Sequence, residues 1–260
     1  MINSIIDSYG IDKLNTLTKY PSILTYHALG EKGSLVEQLS EDKSFVGSGL
    51  CYITEKIDGT NARVIFGGED YIIGSREELL YAKGDRIINP ALGIVGMLKP
   101  IAEKLGASAL KGLYVMYGEV YGGNVTAASK QYTNDKTFGF RMFDVAYIGD
   151  LGILDEPINK ISAWRESENG RFYNVDKLME FAGLHDIATV PYLSDIDGAQ
   201  LPIDRISTYK FLESFTSTKA GINNIGQSEG IVIRDNGRQL IRKIRFEDYQ
   251  RTAKKEKWEI

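Results

Sequence analysis

Two runs rich in apolar and β-branched residues, Leu50 to Ile57 and Asn61 to Phe66, read as strands separated by Asp58-Gly59, a dipeptide that turns chains sharply. Tyr71 to Gly74 reads as a third, shorter strand. Between Pro90 and Gly106 the spacing changes: Ile94, Val95, Leu98, Ile101, Ala102 and Leu105 recur at helical intervals. Pro100 is expected to break or restart that helix, and Gly106 to lie beyond its end. Leu113 to Tyr121 and Phe138 to Tyr147 return to strand composition, each with one acid in an apolar setting, Glu119 and Asp144. Asn174 to Gly183 predicts a helix closed by Gly183, and Ile206 to Phe215 predicts another. Glu229 to Arg234 and Gln239 to Ile244 predict a hairpin around Asp235-Asn236-Gly237. The alternating charges from Phe246 to Ile260 predict a closing helix. Residues 1–45 mix short apolar clusters with a Tyr20-Pro21 turn signal and two glycines, which predicts loops and a short helix packed on the main body.

Mixed strands and helices of this kind predict an α+β chain, and the absence of repeats, low-complexity stretches or an obvious linker predicts one domain over all 260 residues. With 43% hydrophobic and 25% charged residues the composition is that of a folded protein. The formal net charge of -4 excludes a histone-like nucleic-acid coat but leaves room for a local basic groove. One cysteine and two histidines cannot supply a four-ligand Cys/His zinc site or a disulfide framework. The first residues lack a basic leader with a long apolar run, and no stretch approaches the roughly 20 apolar residues of a membrane span. The expectation is a protein of the reducing cytoplasm without membrane attachment.

Neither GxxxxGK[ST] nor a well-placed GxGxxG is present, so the commonest phosphate-binding loops are missing. What stands out is Glu55-Lys56-Ile57-Asp58-Gly59-Thr60-Asn61, where a lysine ends an apolar strand just before a tight turn. KxDG alone arises often by chance, but here it has ordered company: Gly74-Ser75-Arg76, then Gly118-Glu119-Val120-Tyr121-Gly122, then FGFRMFDV from Phe138. Ser228-Glu229-Gly230-Ile231-Val232-Ile233-Arg234 and Lys243-Ile244-Arg245 complete the series. Across residues 55 to 245 these segments resemble the motifs of the covalent nucleotidyltransferase superfamily: ATP-dependent DNA ligases, RNA ligases and mRNA-capping guanylyltransferases. Thr60-Asn61 after Gly59 resembles the extension of the duplex-sealing RNA ligase branch.

The resemblance implies a nucleotidyltransferase domain, two mainly antiparallel sheets with flanking helices, that includes an N-terminal extension (1–48). It implies Lys56 as the nucleophile toward the α-phosphorus of ATP, with Glu55, Ile57 and Asn61 around the nucleotide. By the same resemblance Arg76 contacts ribose or phosphates, Glu119 holds the ribose hydroxyls, and Phe143 stacks on the purine, with Phe140 as its fallback. Glu229 serves a metal ion, Mg²⁺ or Mn²⁺, and Lys243 and Arg245 face the phosphates. Arg245 departs from the usual KxK, and a guanidinium forks where an ammonium is a point donor. An ordinary lysine, with a pKa of about 10.4, is protonated at neutral pH, so a nucleophilic lysine needs surroundings that favour the neutral amine.

The implied activity is that of an ATP-dependent RNA ligase of RNA repair: lysyl-AMP forms, AMP passes to a 5′-phosphate, and a 3′-hydroxyl displaces it. Implied partners are RNA ends, including those of a nicked duplex. Only 15 residues follow Arg245, leaving no room for a C-terminal OB-fold or helical domain, so the expectation is a minimal catalytic domain, a piece of a longer protein, or an enzyme whose partner protein supplies a nucleic-acid clamp. The alternatives are an ATP-dependent DNA ligase, a capping-type guanylyltransferase, and, in another class, a non-catalytic nucleotide or RNA-end binding module. Glu119 and Phe143 do not distinguish ATP from GTP; the choice of ATP follows the ligase resemblance.

Overall fold

Along Leu50–Lys56 the buried positions are Cys51, Ile53 and Glu55, and the residues between them are more exposed, the period of two that a strand covered on one face imposes. The computed structural model in which this is seen describes residues 1–84, 93–167 and 170–259. In chain order its helices and strands begin with α1 (Ile2–Tyr9), α2 (Ile11–Thr18), β1 (His27–Leu29), β2 (Leu35–Leu39), β3 (Leu50–Lys56), β4 (Thr60–Gly67), β5 (Asp70–Ser75) and β6 (Leu79–Ala82). They continue with α3 (Ile94–Ala107), β7 (Leu113–Gly122), β8 (Phe138–Ile148), α4 (Ile158–Glu166), α5 (Val175–His185) and β9 (Tyr192–Asp197). Last come α6 (Arg205–Leu212), β10 (Gly230–Asp235), β11 (Ile241–Arg245) and α7 (Phe246–Glu256). The chain divides into two compact units.

The first unit comprises Met1–Ser22, Gly59–Ser129 and Lys136–Thr189. Its centre is an antiparallel sheet in the order β6-β5-β4-β7-β8. Because side chains alternate across a strand, β4 sends Ala62, Val64 and Phe66 to one face and Ile65 to the other. The first face is covered by Ile94, Leu98 and Leu105 of α3 and by Leu178 and Phe181 of α5. The second is covered by Ile2 and Ile5 of α1, Leu14 and Leu17 of α2, and Ile161 of α4. Both faces being covered explains the apolar runs Val64 to Phe66 in β4 and Tyr71 to Ile73 in β5.

The second unit comprises Ile23–Asp58, Lys130–Asp135 and Val190–Ile260. It holds the antiparallel sheet β11-β10-β3-β9 and the small pair β1-β2. Ile53, Ile231, Ile233 and Ile244 pack there with Tyr209 and Leu212 of α6 and Phe246 and Tyr249 of α7. The outer edge of β11 is occupied by a short stretch of chain: the Lys243 N–H donates to the Leu24 carbonyl at 3.0 Å and the Lys243 carbonyl accepts from the Tyr26 N–H at 2.9 Å.

The α+β class and its two antiparallel sheets agree with the expectation from sequence; several elements differ. Residues 1–45 hold two helices and two strands rather than loops and one helix, because Gly10, at φ 83°, cuts one apolar stripe into two pieces of eight residues. Pro100 lies inside an uninterrupted α3, and α5 runs through Gly183 to His185, ending on Asp186 in the left-handed conformation. Pro90 and Ile260, named in two of the predicted helices, lie outside the described residues. In the β10–β11 hairpin the left-handed residue is Arg238, not Asn236 or Gly237. The Asp235 carboxylate explains this by accepting the Leu240 N–H at 2.9 Å and closing a longer loop. Strands β6 and β9 and helix α4 were not anticipated.

Candidate active site

In the second unit the antiparallel register sets Lys56 of β3 opposite Gly230 of β10, and Gly230 opposite Arg245 of β11. Three neighbouring strands therefore carry Lys56, the Glu229-Gly230 step and Arg245 in one row. Only glycine fits the middle: a Cβ on Gly230 would lie 2.1 Å from the Ile244 carbonyl oxygen. The Lys56 Nζ is 2.5 Å from Glu229 Oε2. Arg245 forks onto Asp248, Nε to Oδ2 at 2.8 Å and Nη2 to Oδ1 at 2.9 Å, and its Nη1 stands 3.9 Å from Glu229 Oε1. An ammonium could not hold both a bidentate pair and a second carboxylate in one plane, which gives the arginine in place of the usual lysine a physical reason.

Burial pushes the Glu229 carboxyl above its ordinary value, against the opposing pull of the Lys56 ammonium. Burial, then the Arg245 and Lys56 charges, push Lys243 down. Lys243 has no salt bridge among the described residues, so the row offers a part-buried cation to an incoming anion.

The chain just after Lys56 is fixed from both sides. The Asp58 N–H donates to the Tyr132 hydroxyl at 2.7 Å, and Tyr132 is fully buried. Glu55, also buried, accepts from the Thr218 hydroxyl and from the N–H groups of Lys219 at 2.7 Å and Ala220 at 3.1 Å. Its carboxylate thus anchors the 218–220 loop. Ile57 is buried. The Asp58-Gly59 step joins strands of different sheets instead of closing a hairpin.

In the first unit, Asn61 of β4 is opposite Glu119 of β7, which is opposite Arg141 of β8. The Asn61 Oδ1 is buried and has no hydrogen-bond partner among the described residues. Arg76 sits in the turn after β5, largely exposed, with its Nε 3.6 Å from Glu77 Oε1 and its carbonyl accepting from Arg63 Nη1 at 3.1 Å. Phe143 is half-buried and meets Tyr20 edge to face, ring centres 5.0 Å apart. Phe140 lies over Gly118, where a Cβ would come within 2.3 Å of its ring, in the cluster beneath α3.

The RNA ligase family model matches residues 49–255. The chain belongs to the RNA ligase family. No curated protein sequence matches it. Among solved structures it is similar to a variant of the Naegleria gruberi RNA ligase with ATP and Mn, at 13% identity and a TM-score of 0.54, covering 91% of this chain and 62% of that one. It is also similar to the Naegleria ligase with pyrophosphate, at 13% identity and TM-score 0.53, covering 90% of this chain and 64% of that one. A further variant of that enzyme, with AMP and Mn, matches at 12% identity and TM-score 0.54 over 90% and 64% of the two chains. This family member thus spans less than two thirds of the ligases it resembles, and the likeness is one of fold.

In the first unit the Asn61 Oδ1 is an acceptor without a donor among the described residues, and in the second unit Lys243 has no salt bridge among them. Glu229 and Asp58 act on one another electrostatically, while no cluster of three or more His, Cys, Asp or Glu side chains suited to a metal occurs among the described residues. Two carboxylates fit an ion that arrives on substrate phosphates better than one held by protein alone. Sequence reasoning missed Tyr132, Arg141, Asp248 and the 218–220 loop. Asp248, three residues beyond Arg245 on a predicted helix, carried a local signal; the others are set by pairings far apart in sequence.

Proposed function

We propose that this chain is an ATP-dependent RNA ligase working through lysyl-AMP, in one nucleotidyltransferase domain that includes its N-terminal residues. The observation that carries the reading is the row of Lys56, Glu229-Gly230 and Arg245 on three adjacent strands, with the Lys56 amine held at 2.5 Å from Glu229. Lys56 Nζ attacks the α-phosphorus of ATP; a P–N bond forms, the bond to the bridging oxygen breaks, pyrophosphate leaves and the amine gives up a proton. Lys243 and Arg245 stabilise the charge that gathers on the phosphate oxygens. Asn61 and Glu119 bind the nucleoside, Glu119 by accepting from the ribose hydroxyls, and Phe143 supplies the stacking ring. Arg76 contacts ribose or phosphate. Glu229, with Asp58 near it, would hold Mg²⁺ or Mn²⁺, which would supply charge neutralisation at the phosphates. AMP then moves from Lys56 to the 5′-phosphate of an RNA end, and the 3′-hydroxyl of a second end attacks that phosphate with AMP leaving.

The complexes of the Naegleria enzyme with ATP, AMP and pyrophosphate support this course by similarity. The test is incubation of the protein with each α-labelled nucleoside triphosphate and a divalent ion. The expected result is acid-labile label from ATP on Lys56, followed by joining of 5′-phosphorylated RNA. Label from GTP alone would give the capping-type reaction instead.

A further inference from the structure

Within the first unit the end of α2, the turn after β5 and helix α4 enclose a cleft of about 380 Å³. Lys19, Arg76 and Arg165 line it, and of these only Arg76 belongs to the motif series. Arg165 is well fixed: its Nη1 donates to the Thr16 carbonyl at 3.1 Å and its Nη2 to Ser162 Oγ at 3.0 Å, leaving the side chain 13% exposed. Lys19 Nζ is 2.7 Å from Glu77 Oε2, and Arg165 Nη2 is 2.6 Å from Glu166 Oε1. The other Glu166 oxygen accepts the Ser22 N–H at 3.1 Å. Behind the cleft stands Arg63, fully buried, bonded to Asn15 Oδ1 and the Arg76 carbonyl. It has no salt bridge among the described residues, and its Nε has no hydrogen-bond partner.

A buried guanidinium without a carboxylate is costly unless its field is used. The charges of Glu77 and Arg165, which both line the cleft, act on it. The acids that answer Lys19 and Arg165 are themselves accessible, Glu77 at 66% and Glu166 at 42% exposure. Ion pairs with so accessible an acid add little to stability, so another anion can take their place at little cost. Arg165, anchored on the Thr16 carbonyl and Ser162, and the Ser22 N–H stay in place. Among the side chains lining the cleft three cations, Lys19, Arg76 and Arg165, stand against two carboxylates, Glu77 and Glu166. One net positive charge suits a phosphodiester and is poorly matched to a triphosphate.

We propose that this cleft binds one backbone phosphate of an RNA strand, with Lys19, Arg165 and the Ser22 N–H as its donors and Glu77 and Glu166 displaced on binding. The site rests on the ligase reading for its substrate and lies outside the residues assigned to the nucleotide, apart from Arg76 at its rim.

The test uses the full chain, Lys19→Ala and Glu166→Gln, with labelling by ATP and binding of a 5′-phosphorylated single-stranded RNA followed by fluorescence anisotropy across a salt series. Lys19→Ala should take label from ATP as the parent does, bind RNA about fivefold more weakly, and lose about 0.7 from the slope of log K against log salt, one phosphate contact on a single strand. Glu166→Gln, which removes a competing carboxylate without removing a donor, should bind RNA about threefold more tightly. Unchanged RNA affinity and slope in both variants overturn the proposal, as does a raised KM for ATP with RNA binding intact, which would give the cleft to the triphosphate. A parent protein that takes no label, with RNA binding still weakened by Lys19→Ala, would sink the ligase reading and leave the phosphate site standing.

Discussion

Lys56 Nζ lies 2.5 Å from Glu229 Oε2, and the two side chains are 25% and 17% exposed. The pair is sheltered but not sealed, so losing it should cost about 1 kcal/mol of stability. Lys56→Ala is expected to abolish covalent labelling by ATP while shifting the melting temperature by only a few degrees, about 2–4 °C per kcal/mol for a chain of this size. Glu229→Gln keeps the shape and the nucleophile, and should slow labelling on the order of 10²-fold. Full labelling of Lys56→Ala would reject that residue as the nucleophile.

Asn61→Ala removes an acceptor whose burial is uncompensated. The protein without nucleotide should be unchanged or gain up to about 1 kcal/mol, since a buried unmade hydrogen bond costs about 1–3 kcal/mol. The KM for ATP should nevertheless rise about tenfold. Thermal melts with and without ATP check both halves: the variant should melt no lower than the parent alone, and gain less from added nucleotide.

Gly230→Ala drives a methyl group into the Ile244 carbonyl, 2.1 Å away. The β10–β11 pair must spread, at about 1–3 kcal/mol. Because Glu229 and Arg245 ride on those strands, labelling should fall even at temperatures where the variant remains folded. Circular dichroism melts alongside a labelling assay report the two effects separately, and a labelling rate equal to the parent's would show that the row tolerates displacement.

His27 is fully buried, its Nε2 2.7 Å from the Ile203 carbonyl and its Nδ1 2.6 Å from the Tyr249 hydroxyl. A carbonyl only accepts, so Nε2 carries the proton and the tyrosine hydroxyl donates to Nδ1 in the neutral ring. Burial holds the His27 pKa below its ordinary 6.5. Below that pH the unfolded chain binds the proton more readily than the native one, so this contribution to stability is full above about pH 6.5 and is lost as pH falls through the depressed native value. His185 is depressed in the same direction. Urea melts between pH 5 and 8 should show midpoints rising with pH, and His27→Gln should flatten the rise; equal slopes in both proteins would count against it.

Strands β3, β4, β5, β7, β8, β10 and β11 were readable because each places β-branched and aromatic residues between clear turns, and the same runs carry most of the motif residues. Less was readable where partners are distant. Tyr132 is 74 residues from the Asp58 N–H it accepts, and Glu55 is about 163 to 165 from the loop it anchors. Neither pairing leaves a periodic trace. The first two helices were hidden by brevity, since eight residues on each side of Gly10 hold too few apolar positions to show a period. Arg141 was concealed for another reason: inside FGFRMFDV the aromatics draw the eye, and only the β7–β8 register sets the arginine beside Glu119.

Leu24 to Tyr26, bonded along the outside of β11, also bear on how copies of the chain keep apart. Without them the strand carrying Lys243 would present unpaired N–H and C=O groups to any passing strand, the start of edge-to-edge polymerisation. The opposite edge of that sheet is β9, where Asp195 and Asp197 would meet a second copy with like charge. One edge is plugged and the other would repel, so displacing Leu24 to Tyr26 from β11 should let copies associate through the uncovered edge, with the lysine strand itself as the seam.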